Sequence, residues 1–174
     1  MDGREMKAII IGGGIGGLCA GLALQQLGHE IAIFEQAAEI RPVGAGLSIW
    51  KNGLAALQSL GLDHAFLAGG AAQMVGSVRT AEGRILSQVA PDRLDEPVGS
   101  LVRVFHRADL QQALLDAVGP HNVYLGKVCT RVEQHVTEAT AIFADGSRVS
   151  GHYLIGADGL NSTVRRQLHG QQPA

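Results

Sequence analysis

The sequence predicts an α/β fold of Rossmann-like design: a central parallel sheet, crossover helices and a small antiparallel β-meander. Three observations carry this. Lys7-Ala-Ile-Ile-Ile11 is a β-branched run that breaks at Gly12, passes into an Ala- and Leu-rich helical stretch, and is answered by a second apolar run at 31–35. A unit of this kind, about thirty residues long, returns right-handed and parallel. A further buried-type run at 153–157 follows alternating segments turned at Asp145-Gly146, the pattern of a meander leading back into the sheet. Glycine, at 24 of 174 residues, has no collagen-like period and stands at about twice its ordinary usage, so backbone must approach something closely.

The elements follow in order. The first strand, Lys7–Ile11, has the unbroken apolar character of a strand covered on both faces. The helix at 15–27 stops at Gly28, where a left-handed cap costs little. Residues 31–35 form the second strand. An irregular stretch holding Arg41, Pro42, Gly44 and Gly46 leads to a helix capped by Asn52 and stopped at Gly61, and 63–68 forms another. Segments 75–80 and 84–89 make a hairpin around Ala81-Glu82-Gly83, while the charged segment 91–97 reads as an exposed loop. A strand at 101–105 precedes a helix at 107–118 with Leu110, Leu114 and Leu115 on one face and a stop at Gly119-Pro120. Segments 127–134, 137–143 and 147–151 form the meander, 153–157 a buried strand, and 162–168 a short last helix.

Composition limits the function. The length suits one compact domain, 1–174. Fourteen Lys and Arg against sixteen Asp and Glu leave a net charge of −2 and no basic run, so nucleic acid is not an expected partner. Cys19 and Cys129 stand far apart without a CxxC or a histidine cluster. Neither a disulfide framework nor a metal site is expected, and a reducing cytoplasm fits. The apolar stretch 8–24 is too short and glycine-rich to span a bilayer and has no cleavage site, so no membrane partner is expected. The hydrolase GxSxG, zinc HExxH and P-loop patterns are missing as well.

What remains is Gly12-Gly-Gly14-Ile-Gly-Gly17, a GxGxxG that directly follows a strand and opens a helix. Gly12 permits the tight turn, Gly14 lets backbone N–H groups approach a pyrophosphate at the positive helix end, and Gly17 lets the helix pack on the sheet. Glu35 closes the second strand eighteen residues past Gly17, where an acceptor meets ribose hydroxyls and repels a 2′-phosphate. The fingerprint does not by itself separate FAD from NAD. Arg107 opens a helix, where a cation opposes the macrodipole unless an anion such as a cofactor phosphate lies near; the bland reading is a solvated arginine beside Asp109. Arg41 could reach a pyrophosphate from its glycine-bearing loop or lie on the surface. Asp158 follows a buried strand at the carboxyl end of the sheet, where ligands bind in doubly wound folds, or else serves a turn or cap.

Three stretches add a family resemblance: the fingerprint with Arg41-Pro-Val-Gly-Ala-Gly46 and Trp50 to Gly61, then Arg107-Ala-Asp-Leu110, then Leu154-Ile-Gly-Ala-Asp158-Gly159-Leu-Asn-Ser162-Thr-Val-Arg165. Together they resemble the single-component FAD-dependent monooxygenases that hydroxylate aromatic rings, on the salicylate, urate and zeaxanthin-epoxidising branch. The resemblance implies FAD as cofactor, NAD(P)H as co-substrate, and transfer of one oxygen atom of O2 to a small aromatic or other electron-rich substrate. It implies FAD contacts by Gly12, Gly14, Gly17, Glu35, Arg41, Arg107 and Asp158. It names no catalytic residue, because such enzymes continue for about as many residues again with a substrate-covering sheet and a Gly-Asp motif, and no Gly-Asp dipeptide occurs here. Gln36 stands where many members carry a basic residue, and Tyr153 and Asn161 where charged residues are frequent.

The chain is therefore expected to be an incomplete FAD-binding domain of such an oxidoreductase, truncated relative to the family. The rival is a non-catalytic flavin- or nucleotide-binding module, or one half of a split enzyme; a homo-oligomer or a complementing second polypeptide would cover its exposed apolar surface. An NAD-dependent dehydrogenase is disfavoured by Asp158-Gly159 and by the want of a proton-transfer residue near the fingerprint.

Overall fold

A computed structural model describes residues 5–41, 46–72, 77–88 and 102–170. Along the chain the elements are β1 (Lys7–Ile11), α1 (Ile15–Gln26), β2 (Glu30–Phe34), β3 (Gly46–Trp50), α2 (Lys51–Ser59), α3 (His64–Gly69), β4 (Ala71–Ala72), β5 (Ser77–Arg79), β6 (Ile85–Gln88), β7 (Val102–His106), α4 (Arg107–Val118), β8 (Val123–Tyr124), β9 (Cys129–Gln134), β10 (Ala139–Phe143), β11 (Arg148–Gly151), β12 (Tyr153–Gly156) and α5 (Thr163–His169). They divide into two compact units, 1–42 with 110–174, and 43–109.

The first unit holds a parallel sheet in the order β12-β1-β2-β8, with Ile9 opposite Leu154 on one side and Ala32 on the other. Beyond Lys7 and Glu30, the paired charges that open β1 and β2, these two strands are apolar because both faces are covered. The δ-methyls of Ile10, Ile31 and Ile33 reach the flank of α1 at Gly21. Ile9, Ile11, Ala32 and Phe34 instead join Ala141 and Phe143 of the meander and Val164 of α5 in one core. Ile9, Ile10 and Ile33 are wholly buried, each worth roughly 1.5–3 kcal/mol of transfer free energy. The meander is antiparallel in the order β11-β10-β9, and its turn falls at Asp145-Gly146 as predicted.

The second unit contains an antiparallel sheet in the order β3-β7-β4 and the hairpin β5–β6. Phe105 is buried and stacks on Phe66 at 5.5 Å, and Arg103 Nη1 donates to the carbonyls of Ala68 and Gly70, each at 2.9 Å.

Three local expectations need correction. Gly46–Trp50, read as irregular, is strand β3 because β7 supplies a partner along its whole length. Asn52 is not the cap of α2: the helix starts at Lys51, Trp50 occupies the extended cap position, and no side-chain cap bond forms. The strand feeds the helix directly, so Asn52 falls inside the first turn. On α4 the buried set is Leu110, Leu114 and Val118, with Leu115 only half-buried. The loop expected at 91–97 and residues 75, 76, 89 and 101 of the expected strands lie outside the described residues. Among the described residues no helix is long and apolar enough to cross a membrane.

Candidate nucleotide site

The site grows from the turn after β1. Gly12 N–H donates to the Phe34 carbonyl at 2.8 Å, and Ala157 N–H donates to Ile11 at 2.7 Å, so the turn is held between the ends of β2 and β12. Gly12 lies at φ 110, and a Cβ there would overlap the Ala157 carbonyl oxygen. Gly17, on the buried face of α1, is packed so closely that a Cβ would overlap the Gly12 carbonyl oxygen. Gly14 differs: it caps α1 in an extended conformation with no side-chain cap, and the space where its Cβ would stand is open for 4 Å. The glycines thus have separate duties, Gly12 and Gly17 allowing backbone to meet backbone and Gly14 leaving room in front of the positive helix end.

Glu35 is held at each of its polar atoms. Its N–H donates to the Tyr124 carbonyl at 2.9 Å, and its carbonyl accepts from Lys127 N–H at 2.8 Å. Its carboxylate accepts from Gly13 N–H at 2.7 Å and from Ala37 N–H at 2.9 Å. Each carboxylate oxygen keeps a lone pair for a hydroxyl donor. The Asp158 carboxylate accepts from Ser162 Oγ–H and from the N–H groups of Thr163 at 2.7 Å and Val164 at 3.2 Å, while Ser162 Oγ accepts from Arg165 N–H at 2.9 Å. Asp158 and Ser162 therefore start α5 together.

Gly12, Gly14, Glu35 and Asp158 line one cavity of about 250 Å³. Gly17 is not among the lining residues and packs against Gly12, which is. Arg41 is not among the lining residues: its side chain is 72% exposed and its guanidinium pairs with Glu39 at 2.6 Å. Arg107, exposed at the start of α4, belongs to the other unit, and there Asp109 faces His106 at 4.0 Å.

Lys127 and Cys129 also line the cavity, and sequence reasoning gave them no role. Lys127 Nζ donates to Asp145 at 2.6 Å and Ser147 at 3.0 Å and stands 5.7 Å from the centre of the Phe143 ring. Burial, and then the charge of Asp158, push the Cys129 thiol up from its ordinary value, and burial does the same for Cys19. A raised thiol suits a small packing group better than a nucleophile. Lys127 first, then Ser147, hold the Asp145 carboxyl well below the usual carboxylate range. A depressed native value contributes stability that is complete above the unfolded value, near pH 4, and is lost as pH falls through the native one. The melting temperatures of the wild-type protein and Asp145→Asn are thus expected to differ at about pH 6 and to converge towards about pH 2. A gap that stays constant over this range would remove Asp145 from the acid response.

The sequence matches the FAD binding domain family over residues 5–174. The chain belongs to that family. Its relatives include the FAD-dependent urate hydroxylase of Klebsiella pneumoniae, 40% identical over 169 residues that cover 97% of this chain and 44% of that one. Another is the 3-amino-4-hydroxybenzoate 2-monooxygenase of Streptomyces cremeus, 32% identical over 97% of this chain and 43% of that one. The crystal structure of Klebsiella pneumoniae HpxO complexed with FAD and uric acid superposes with a TM-score of 0.84 at 36% identity, covering 97% of this chain and 43% of that chain. The chain spans less than half the length of the curated relatives it matches.

As an FAD binding domain, the chain offers a site whose chemistry fits the adenosine diphosphate end of the cofactor. A phosphate at the helix end would find open space before Gly14, and a diol would meet the two acceptor oxygens of Glu35. Among the described residues Lys127 is the one lysine that lines the cavity, and its ammonium is already paired with Asp145, so an anion there would draw on backbone N–H groups.

Proposed function

We propose that the chain is the FAD-binding part of a monooxygenase that hydroxylates a small aromatic or other electron-rich ring with NAD(P)H and O2. The observation that carries this is the convergence of Gly12, Gly14, Glu35 and Asp158 on one cavity in a chain of this family. Relatives named as urate hydroxylase and aminohydroxybenzoate monooxygenase support the substrate class. Bound FAD supplies the redox chemistry and the activation of oxygen. The chain's own part is to hold and orient it: Gly12, Gly14 and Gly17 at the pyrophosphate, Glu35 at the ribose, and Arg41, Arg107 and Asp158 at its remaining contacts. Asp158 acts through the start of α5, which its carboxylate orders. The two free cysteines favour a reducing cytoplasm.

A second reading is a flavin-binding module that works with another polypeptide or a second copy. One experiment separates the two. The purified chain is mixed with FAD, passed through a desalting column, and its visible spectrum recorded, followed by NAD(P)H oxidation with candidate ring substrates. A retained flavin band with substrate-dependent oxidation supports the monooxygenase. A retained band without turnover supports the module, and a colourless protein rejects unaided FAD binding.

A further inference from the structure

We infer that Gln111, on α4, is a positioning residue that locks the Gly13–Gly14 peptide with its N–H towards the nucleotide cavity. Gln111 Nε2 donates to the Gly13 carbonyl at 2.9 Å, while the N–H of the same Gly13 is held by Glu35 at 2.7 Å. Gly13 is buried and Gln111 half-buried. Gln111 therefore satisfies a carbonyl that water reaches poorly and that would otherwise carry a desolvation penalty.

The consequence lies in the next atom along the chain. In a trans peptide the N–H points opposite to the C=O, so fixing the Gly13 carbonyl on Gln111 fixes the Gly14 N–H on the far side. Gln111 does not line the cavity and Gly14 does. Neither residue of this Gly-Gly pair has a Cβ, so the intervening peptide can rotate with little steric resistance. A half-turn would replace a donor facing the anion by an acceptor, which repels it. Glu35 holds the Gly13 N–H and Leu18 N–H holds the Gly14 carbonyl, which leaves the Gly13 carbonyl between them to Gln111. The restraint comes from Gln111, ninety-eight positions away in sequence. Its role is to prepare the donor before the cofactor arrives, which lowers the reorganisation that binding would otherwise require.

The inference rests on the cofactor site assigned above, and its test keeps the two apart. In the full 174-residue chain without cofactor, Gln111→Leu is expected to shift or split the Gly14 amide resonance in a 15N–1H spectrum. The same variant is expected to raise the Kd for FAD and for ADP by one common factor, roughly tenfold. Gln111→Glu adds a readout that lost packing would not produce. Its carboxylate repels the Gly13 carbonyl near pH 8, whereas its protonated form donates, so its FAD affinity should recover towards the wild-type value as pH falls to about 5. Glu35, the other titratable group on Gly13, is common to both proteins and is cancelled by measuring wild type at each pH. An FAD Kd unchanged by Gln111→Leu, or a Gln111→Glu deficit that does not vary with pH, overturns the lock. A wild-type chain that binds no FAD fails the cofactor reading instead; the Gly14 resonance then decides alone, a shifted or split peak upholding the lock and an unmoved one overturning it.

Discussion

Gly17→Val is expected to abolish FAD retention and to lower the melting temperature, whereas Gly14→Ala should impair binding alone. A Cβ at Gly17 would overlap the Gly12 carbonyl oxygen, with Ala157 Cβ in ordinary contact at 3.4 Å. The Gly12 carbonyl is backbone just past the end of β1 and cannot yield as the tip of a flexible side chain would. The helix must lift from the turn, at a cost of about 1–3 kcal/mol or more, and the N–H groups at its start lose their aim. At Gly14 the backbone is extended (φ −74, ψ 178) and the Cβ position is open for 4 Å. Alanine fits there without strain, and its methyl group enters the space a phosphate would use. Calorimetry should therefore place Gly14→Ala within about 2 °C of wild type, with FAD affinity reduced about tenfold. Equal losses of stability in the two variants would refute this division of labour.

Glu35→Ala is the second large effect. The carboxylate holds Gly13 N–H at 2.7 Å and Ala37 N–H at 2.9 Å, and hydrogen bonds to charged groups contribute about 1.5–3 kcal/mol each. Alanine removes both bonds together with the acceptor for the ribose hydroxyls. A fall in FAD affinity of about 100-fold is expected, read by titration calorimetry or by quenching of flavin fluorescence. Glu35→Gln keeps one acceptor oxygen and should fall between. It also removes the charge that repels a 2′-phosphate, so the preference for ADP over its 2′-phosphorylated form should narrow. Wild-type affinity in Glu35→Ala would show that the ribose is held elsewhere.

The distribution of these effects follows what was legible in the sequence. The turn at Gly12, the helix that follows it, the acidic end of β2 and the meander turn at Asp145-Gly146 were readable because each is written within a few consecutive residues. Asp158 was readable both as a residue at the carboxyl end of a strand and as a turn or cap group, and both hold: its carboxylate orders the start of α5 and the residue lines the cavity. Strand β3 was missed because its alternation, with Leu47 and Ile49 half-buried between exposed neighbours, covers only five residues, and β7, which pairs with it, lies more than fifty positions later. The two residues of β8 are too few to signal anything, yet they pair with Ile33 and Phe34. Asn52 has the chemistry of a cap, but β3 runs straight into α2 and leaves no non-helical position for it.

The sequence by itself determined the parallel α/β unit, the glycine turn and the acceptor at its neighbouring strand end, because hydrophobic period, turn chemistry and motif spacing are local quantities. Only the tertiary structure decided which of the candidate residues share a cavity. Gly12, Gly14, Glu35 and Asp158 meet there, Arg41 lies against Glu39, and Lys127 and Gln111 enter the site's construction unannounced. The physical reason is that a side chain's role at a site is set by strand register and helix docking, which bring together residues as far apart as Gly13 and Gln111 or Ile11 and Gly156, and no window of sequence contains both members of such a pair.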